Sequence, residues 1–170
     1  MKKTDSKYII YFGGLKEGIY DYDFVMEQDF FDEFEYLEAH GGKVFAHVTM
    51  NKYEKYITLN ISMRGNLILQ CDRCLENYSQ EIYYEDELLL KYSDEPENNS
   101  IEEKIIYIHP EDKEIDLKHY FFENIGLSIP YRRIHPDING ESTCNKEMLK
   151  YIINIDQEDD ITENNNFIEN

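Results

Sequence analysis

Three cysteines and one histidine have the types and spacing that could hold a metal ion. Cys71 and Cys74 stand three positions apart between two alternating apolar runs, and Cys144 follows His135 by nine positions. A Cys-x-x-Cys pair on a tight turn supplies two thiolates, which is half of a tetrahedral zinc site. Cys144 and His135 are the obvious third and fourth ligands. A site closed by three thiolates and one imidazole would be structural rather than catalytic.

The cysteines are also compatible with two roles that need no metal. Cys71 shares its strand parity with Leu67 and Leu69, so it could be a small buried apolar residue. Cys-x-x-Cys could also be a redox pair, although such pairs usually open a helix beside a βαβ unit, and strands flank this one. Three cysteines do not form a secreted disulfide framework, so we expect reduced thiols and a cytoplasmic protein.

Arginine is concentrated near the cysteine motifs, whereas the lysines are scattered along the chain. Three of the four arginines border these motifs: Arg73, Arg132 and Arg133. Because arginine is preferred for bidentate phosphate contact, these three are candidate RNA- or partner-binding residues. The alternative is that they neutralise the acids around them, namely Asp72, Glu76 and Asp137.

The overall charge limits the partners. The chain has 17 basic and 36 acidic side chains and a formal net charge of −19. This charge argues against broad adhesion to nucleic acid or to an anionic membrane, so we expect no DNA and no membrane partner. A basic protein, or RNA touched through a local patch, remains compatible with it. No run approaches the roughly 18–20 apolar residues of a membrane span, and no apolar segment follows Met1-Lys2-Lys3 as in a signal peptide.

Alternating apolar residues in the middle third predict antiparallel strands. One set of even positions runs from Val44 to Met50 and a set of odd positions from Ile57 to Met63. We expect Arg64-Gly65 to interrupt the second run, which resumes up to Cys71, and a further strand to cover 82–92. Because parallel strands need a crossover of about a dozen residues, neighbours joined this closely must be antiparallel. Shorter strands are predicted over 8–12, 20–26 and 105–108.

Three segments have helical spacing. The first is predicted to begin at Asp29 and to end at Gly41-Gly42, the second to be capped by Asp116 and stopped by Pro130. The third is predicted to be capped by Asn145, with a buried face formed by four apolar residues: Met148, Leu149, Ile152 and Ile153. The fold class is therefore α+β, an antiparallel β-meander with a Cys-x-x-Cys hairpin knuckle and two or three helices. We expect one domain over 1–155 with an acidic mobile loop at 93–103, and a disordered acidic tail at 156–170.

Together these features resemble the YceD-like family, the large ribosomal RNA subunit accumulation proteins. The matching segments are Leu69-Gln70-Cys71-Asp72-Arg73-Cys74-Leu75, Glu114-Ile115-Asp116-Leu117, and Glu123-Asn124-Ile125-Gly126-Leu127-Ser128-Ile129-Pro130, followed by His135 and Cys144. The resemblance covers roughly residues 20–150 and carries over Cys71, Cys74, His135 and Cys144 as motif positions. Arg132-Arg133 and an apparent insertion around Asn139-Gly140 depart from the family pattern.

The resemblance implies a cytoplasmic bacterial protein needed for accumulation of 23S rRNA, with a role in pre-rRNA processing or large-subunit assembly and no known catalytic reaction. The sequence carries no Gly-rich phosphate loop, no His-Glu-x-x-His motif and no nucleophile elbow. We therefore expect a non-enzymatic factor whose acidic surface holds a basic large-subunit ribosomal protein and whose arginine-bordered cysteine face meets a precursor rRNA particle. The alternatives are a metal-dependent RNA-processing enzyme and a thiol redox sensor.

Overall fold

The structure, a computed structural model, describes residues 7–34, 37–94 and 104–151. Its elements in chain order are β1 (Ile9–Tyr11), β2 (Gly18–Met26), α1 (Gln28–Phe31), β3 (Ala39–Lys52), β4 (Tyr56–Gln70), β5 (Asn77–Tyr92), β6 (Ile105–Ile108), β7 (Glu114–Asp116), α2 (Lys118–Leu127), β8 (Asp137–Ile138), β9 (Glu141–Ser142) and a final helix, α3, over residues 146–151. The chain is therefore α+β, as the sequence pattern predicts.

A five-stranded sheet in the order β2-β3-β4-β5-β6 forms the centre of the fold. The first four strands are antiparallel neighbours, as expected for strands joined by short connections. The fifth strand, β6, pairs with β5 in parallel, from Leu89↔Ile105 to Tyr92↔Ile108. The strand predicted over 105–108 is therefore confirmed, but the local pattern did not predict that it extends the meander as a parallel edge strand.

One face of this sheet is buried and the other is exposed. The alternation of β3 and β4 places Val44, Val48, Ile57 and Leu59 in the core without measurable exposure. The core is closed by aromatic side chains from the residue before β1 and from β2, α1 and α2. Their ring centroids lie 5.4 Å apart between Tyr8 and Phe30, 6.0 Å between Tyr8 and Phe121, and 5.5 Å between Phe24 and Phe121.

A carboxylate occupies one position of this buried face. Asp86 in β5 has a side chain only 8% exposed and forms an ion pair with Lys104. The hydroxyls of Tyr84 and Tyr120 donate hydrogen bonds of 2.8 and 3.0 Å to Asp86 Oδ2. Burial raises the pKa of Asp86, but the hydrogen bonds from Lys104, Tyr84 and Tyr120 outweigh it and hold that pKa below its ordinary value. This network joins α2 to the sheet through fully partnered polar groups.

The predicted interruption at Arg64-Gly65 is wrong, because β4 runs through both residues. Gly65 pairs with Val44, and a Cβ added to Gly65 would lie 2.1 Å from the carbonyl oxygen of Lys43. The glycine therefore lets the backbones of β3 and β4 approach closely and does not end the strand.

The first helix is shorter than predicted. It begins after Glu27 rather than at Asp29, ends at Phe31, and Gly41-Gly42 belong to β3. These glycines have φ values of +146° and +153°, and the β3–β4 register shifts between Ala39 and Gly42. The glycine pair thus allows an irregularity in the strand. Glycine at positive φ can also end a helix, which is the role that the sequence pattern predicted here.

The later helices follow the prediction closely. The N-cap of α2 is Leu117, one residue after the predicted Asp116, which ends β7. Asp116 Oδ1 still accepts a hydrogen bond of 2.9 Å from the amide of Lys118, the first residue of α2, and the helix ends before Pro130. Asn145 Oδ1 accepts one of 2.9 Å from the amide of Glu147 at the start of α3. Ile152 and Ile153, most of the predicted 93–103 loop and the 156–170 tail lie outside the described residues. None of the described helices has the length and apolarity that a membrane crossing requires.

Candidate metal centre

The turn between β4 and β5, residues 71–76, presents the first two candidate ligands. The amide of Cys71 donates to the carbonyl of Glu76 at 2.9 Å, and the amide of Leu75 donates to the carbonyl of Cys71 at 3.0 Å. Leu75 has a φ of +61°, in the left-handed region that single turn residues adopt. These bonds hold Cys71 and Cys74 in one compact turn.

The remaining two candidate ligands flank a very short hairpin. His135 precedes β8, Cys144 follows β9, and the strands pair as Asp137↔Ser142 and Ile138↔Glu141. The connecting residues Asn139 and Gly140 have φ values of +53° and +81°, both positive as in a two-residue type I′ turn. The apparent insertion around Asn139-Gly140 is therefore the turn that returns the chain from His135 to Cys144.

Polar contacts dock this hairpin segment onto the 71–76 turn. The amide of Asp72 donates to the carbonyl of Arg133 at 2.7 Å, and the amide of Arg133 donates to Asp72 Oδ2 at 2.8 Å. The Asn145 side chain donates to Glu76 Oε1 at 2.7 Å. Since Arg133 precedes His135 and Asn145 follows Cys144, these bonds fix both ends of the second segment to the 71–76 turn.

Three of the distances among the four ligand atoms match the edges of a tetrahedral zinc site. Cys71 Sγ lies 3.7 Å from Cys144 Sγ, and His135 Nδ1 lies 3.4 Å from Cys74 Sγ and 3.7 Å from Cys144 Sγ. All four atoms lie within 4.8 Å of one another. Zinc bonded at about 2.3 Å to sulfur and 2.0–2.1 Å to nitrogen requires sulfur–sulfur edges of about 3.8 Å and sulfur–nitrogen edges of about 3.5 Å. The residues present therefore fit the ion, and the cysteines are free thiols.

Burial and local hydrogen bonding set the charge of the thiols. Cys71, Cys74 and Cys144 are 0%, 2% and 4% exposed. Burial raises the pKa of Cys71, but the backbone amides of Cys74 and Arg73 and the His135 side chain outweigh it and lower that pKa to about 6. Burial raises the pKa of Cys144. A bound cation would offset the negative charge of neighbouring thiolates, which this cluster otherwise concentrates in a buried space.

The three arginines near the centre have different surroundings. Arg133 forms ion pairs of 2.7 Å with Glu38 and 3.1 Å with Asp72, as the charge-neutralising alternative predicts for this residue. Arg132 is exposed and Arg73 is half-buried. Among the described residues, neither of these two side chains has an ion-pair partner. The contact between Arg133 and Glu38 was missed, because no local signal relates residues so distant in sequence.

The fold and the site together define a small α+β protein with a buried cluster of three cysteines and one histidine. The sequence profile of the family described as Large ribosomal RNA subunit accumulation protein YceD matches residues 59–167. This range is more than half of the chain and contains all four candidate ligands, so the chain belongs to that family, as the resemblance predicts. No curated protein and no solved structure matches the chain.

Proposed function

We propose that this protein is a non-enzymatic factor that supports accumulation of 23S rRNA in the bacterial cytoplasm, through large-subunit assembly or pre-rRNA processing. Membership of the YceD family is the observation that carries this proposal. The acidic composition and the clustered ligands support the more specific statements about partners and cofactor that follow.

The proposed cofactor is a structural zinc ion held by Cys71, Cys74, His135 and Cys144. Bound there, zinc would cross-link the β4–β5 turn to the hairpin that follows α2. Four protein ligands complete a tetrahedral shell, whereas a catalytic zinc keeps a position open for water or substrate. The geometry thus favours a structural ion over the metal-dependent enzyme, and the burial of all three sulfurs disfavours a sensor, which needs an accessible thiol.

The proposed partners are a basic large-subunit ribosomal protein and the precursor rRNA particle, with no DNA and no membrane. At a net charge of −19 the protein repels naked RNA at long range, so a basic protein would drive the encounter. Arg132 and Arg73 lie beside the cysteine centre and would contact RNA phosphates locally. Arg133 is engaged by Glu38 and Asp72 and would hold that surface in place.

Co-sedimentation with precursor large subunits tests the proposal. Wild-type protein should sediment with the particles at low salt and dissociate steeply as salt increases. Arg132→Ala should weaken association several-fold, whereas Lys150→Ala, which removes an exposed positive charge in α3, should change it little. The proposal would be refuted if wild-type protein bound neither ribosomal proteins nor precursor particles at low salt. Cleavage of precursor rRNA by the zinc-loaded protein would instead favour the enzyme.

A further inference from the structure

The exposed face of the central sheet, here called the open face, is uncovered in the part of the chain that the structure describes. Its side chains form rows across strands β2, β3, β4 and β5. One row pairs the following residues: Val25, Phe45, Arg64 and Tyr83. The next two rows run Asp23, His47, Ser62, Glu85 and Asp21, Thr49, Asn60, Glu87.

The first row exposes apolar and aromatic side chains in the middle of a sheet. Val25, Phe45 and Tyr83 are 41%, 47% and 66% exposed. Phe45 and Tyr83 lie two strands apart, about 10 Å, with Arg64 between them. The first two rows border a depression of about 600 Å³. The Nζ atom of Lys43 already lies 5.5 Å from the centroid of the Phe45 ring. A guanidinium group of a partner can stack on the Tyr83 ring and can take the place of Lys43 on the Phe45 ring.

The charges of the open face are arranged at its edges. Asp21 and Asp23 lie on β2, while Glu85 and Glu87 lie on β5, so two acidic margins flank strands β3 and β4, which carry no carboxylate in these rows. Asp23 contacts His47 Nδ1 at 2.8 Å, yet its side chain is still 83% exposed. With Arg64 as the one cation among these three rows, the face is acidic overall and repels phosphate while attracting cationic groups.

We propose that the open face binds an extended, arginine- and lysine-rich protein segment. Guanidinium groups of the segment would stack on Phe45 and Tyr83, and its remaining cations would pair with the acidic margins. Arg64 carries donors for main-chain carbonyls of the bound segment. The inference rests on the proposed function, because it locates the surface that meets the basic partner.

Binding of a labelled ten-residue arginine–serine peptide, measured by fluorescence anisotropy, tests the stacking component. The double variant F45S/Y83S should weaken binding about tenfold, as expected for loss of aromatic anchors. The matched control Y53S/Y56S removes a stacked, exposed aromatic pair at the β3–β4 turn without changing charge, and should alter binding less than twofold. Equal effects of the two double variants, or no effect of either, would overturn the proposal.

A second pair of variants tests the acidic margins and does not depend on the aromatic substitutions folding correctly. D23N/E85Q should weaken peptide binding several-fold more than E17Q/E54Q, which removes the same total charge from exposed positions elsewhere. Equal losses of peptide affinity in the two double variants would show that the peptide is attracted by net charge alone and would overturn the proposal. Binding of a single-stranded RNA decamer that F45S/Y83S abolishes, in the absence of peptide binding, would overturn the proposal in favour of RNA.

The outcomes for this face and for the proposed function are separable. If wild-type protein associates with precursor particles but these substitutions leave peptide affinity unchanged, the open face is the wrong surface and the proposed function is retained. If wild-type protein binds neither particles nor peptide, both proposals fail.

Discussion

Removal of one proposed zinc ligand should destabilise the protein by a calculable amount. Cys71 and Cys144 are 73 residues apart, and a metal that joins them closes a long loop in the unfolded chain. The chain-entropy treatment of a cross-link gives about 4 kcal/mol for a loop of this length at 25 °C. For a chain of this size that loss corresponds to a decrease in Tm of about 10 °C. We therefore expect Cys144→Ser to melt about 10 °C below the zinc-loaded wild type.

Zinc content and thermal unfolding, measured on the same preparations, check this prediction. Wild-type protein purified without chelator should contain one zinc per chain, and Cys144→Ser should contain none. A chelator should lower the Tm of the wild type to near that of the variant and leave the variant unchanged. Glu76→Ala is the matched control, because it removes a hydrogen bond between the same two segments but no ligand. It should cost only about 1 kcal/mol and retain zinc.

Two results would refute the reasoning. Wild-type protein that is free of metal, folded and insensitive to chelator would return Cys71 to the role of an ordinary core residue. Stoichiometric zinc retained by Cys144→Ser would show that the ion is held by a different set of ligands. In either case the fit of the four side chains to a tetrahedron would have no energetic consequence.

Three further predictions concern residues that are not themselves candidate ligands. Arg133→Ala should lower stability by about 1 kcal/mol through loss of its two ion pairs and leave zinc content unchanged; a larger loss, or loss of metal, contradicts this. Gly65→Ala should cost about 2–3 kcal/mol in urea unfolding because its Cβ has no space between β3 and β4. Gly126→Ala, whose Cβ would meet nothing nearer than 3.6 Å, should instead stabilise α2 by about 1 kcal/mol. A change in unfolding free energy of the same sign for both substitutions would contradict this reasoning. The lowered pKa of Asp86 gives stability that is present above about pH 3.8 and lost as the pH falls through the folded-state pKa, so Asp86→Asn should flatten the acid limb of stability against pH.

Sequence reasoning performed best where a local period carries the information. The alternation in β3 and β4 predicted the buried face, because side chains of a strand alternate between its two faces. The short connection between these strands predicted their antiparallel pairing. Sequence reasoning failed at Gly65 and at Gly41-Gly42, because a glycine can either end a secondary-structure element or allow two backbones to approach closely. Only the neighbouring strand decides between these two uses.

The candidate centre was predictable as a set of residues but not as an arrangement. Ligand type and Cys-x-x-Cys spacing predicted the four side chains that the structure brings together. The Asn-Gly pair at 139–140 is a readable hairpin signal, although it resembles an insertion when only the family pattern is considered. Asp86 shares the core parity of Tyr84, but its partners Lys104 and Tyr120 are distant in sequence, so no local pattern indicated a buried carboxylate there.

The candidate ligands come from two segments that are distant in sequence, so they become available at different times during synthesis. Cys74 leaves the ribosome 61 residues before His135, which is about 3–12 s at ordinary elongation rates. During that interval the nascent β4–β5 turn offers only two sulfurs, too few to enclose an ion. If the centre binds zinc as proposed, tight capture would wait until the last hairpin emerges, so metal supply would govern the final step of maturation and leave formation of the sheet unaffected.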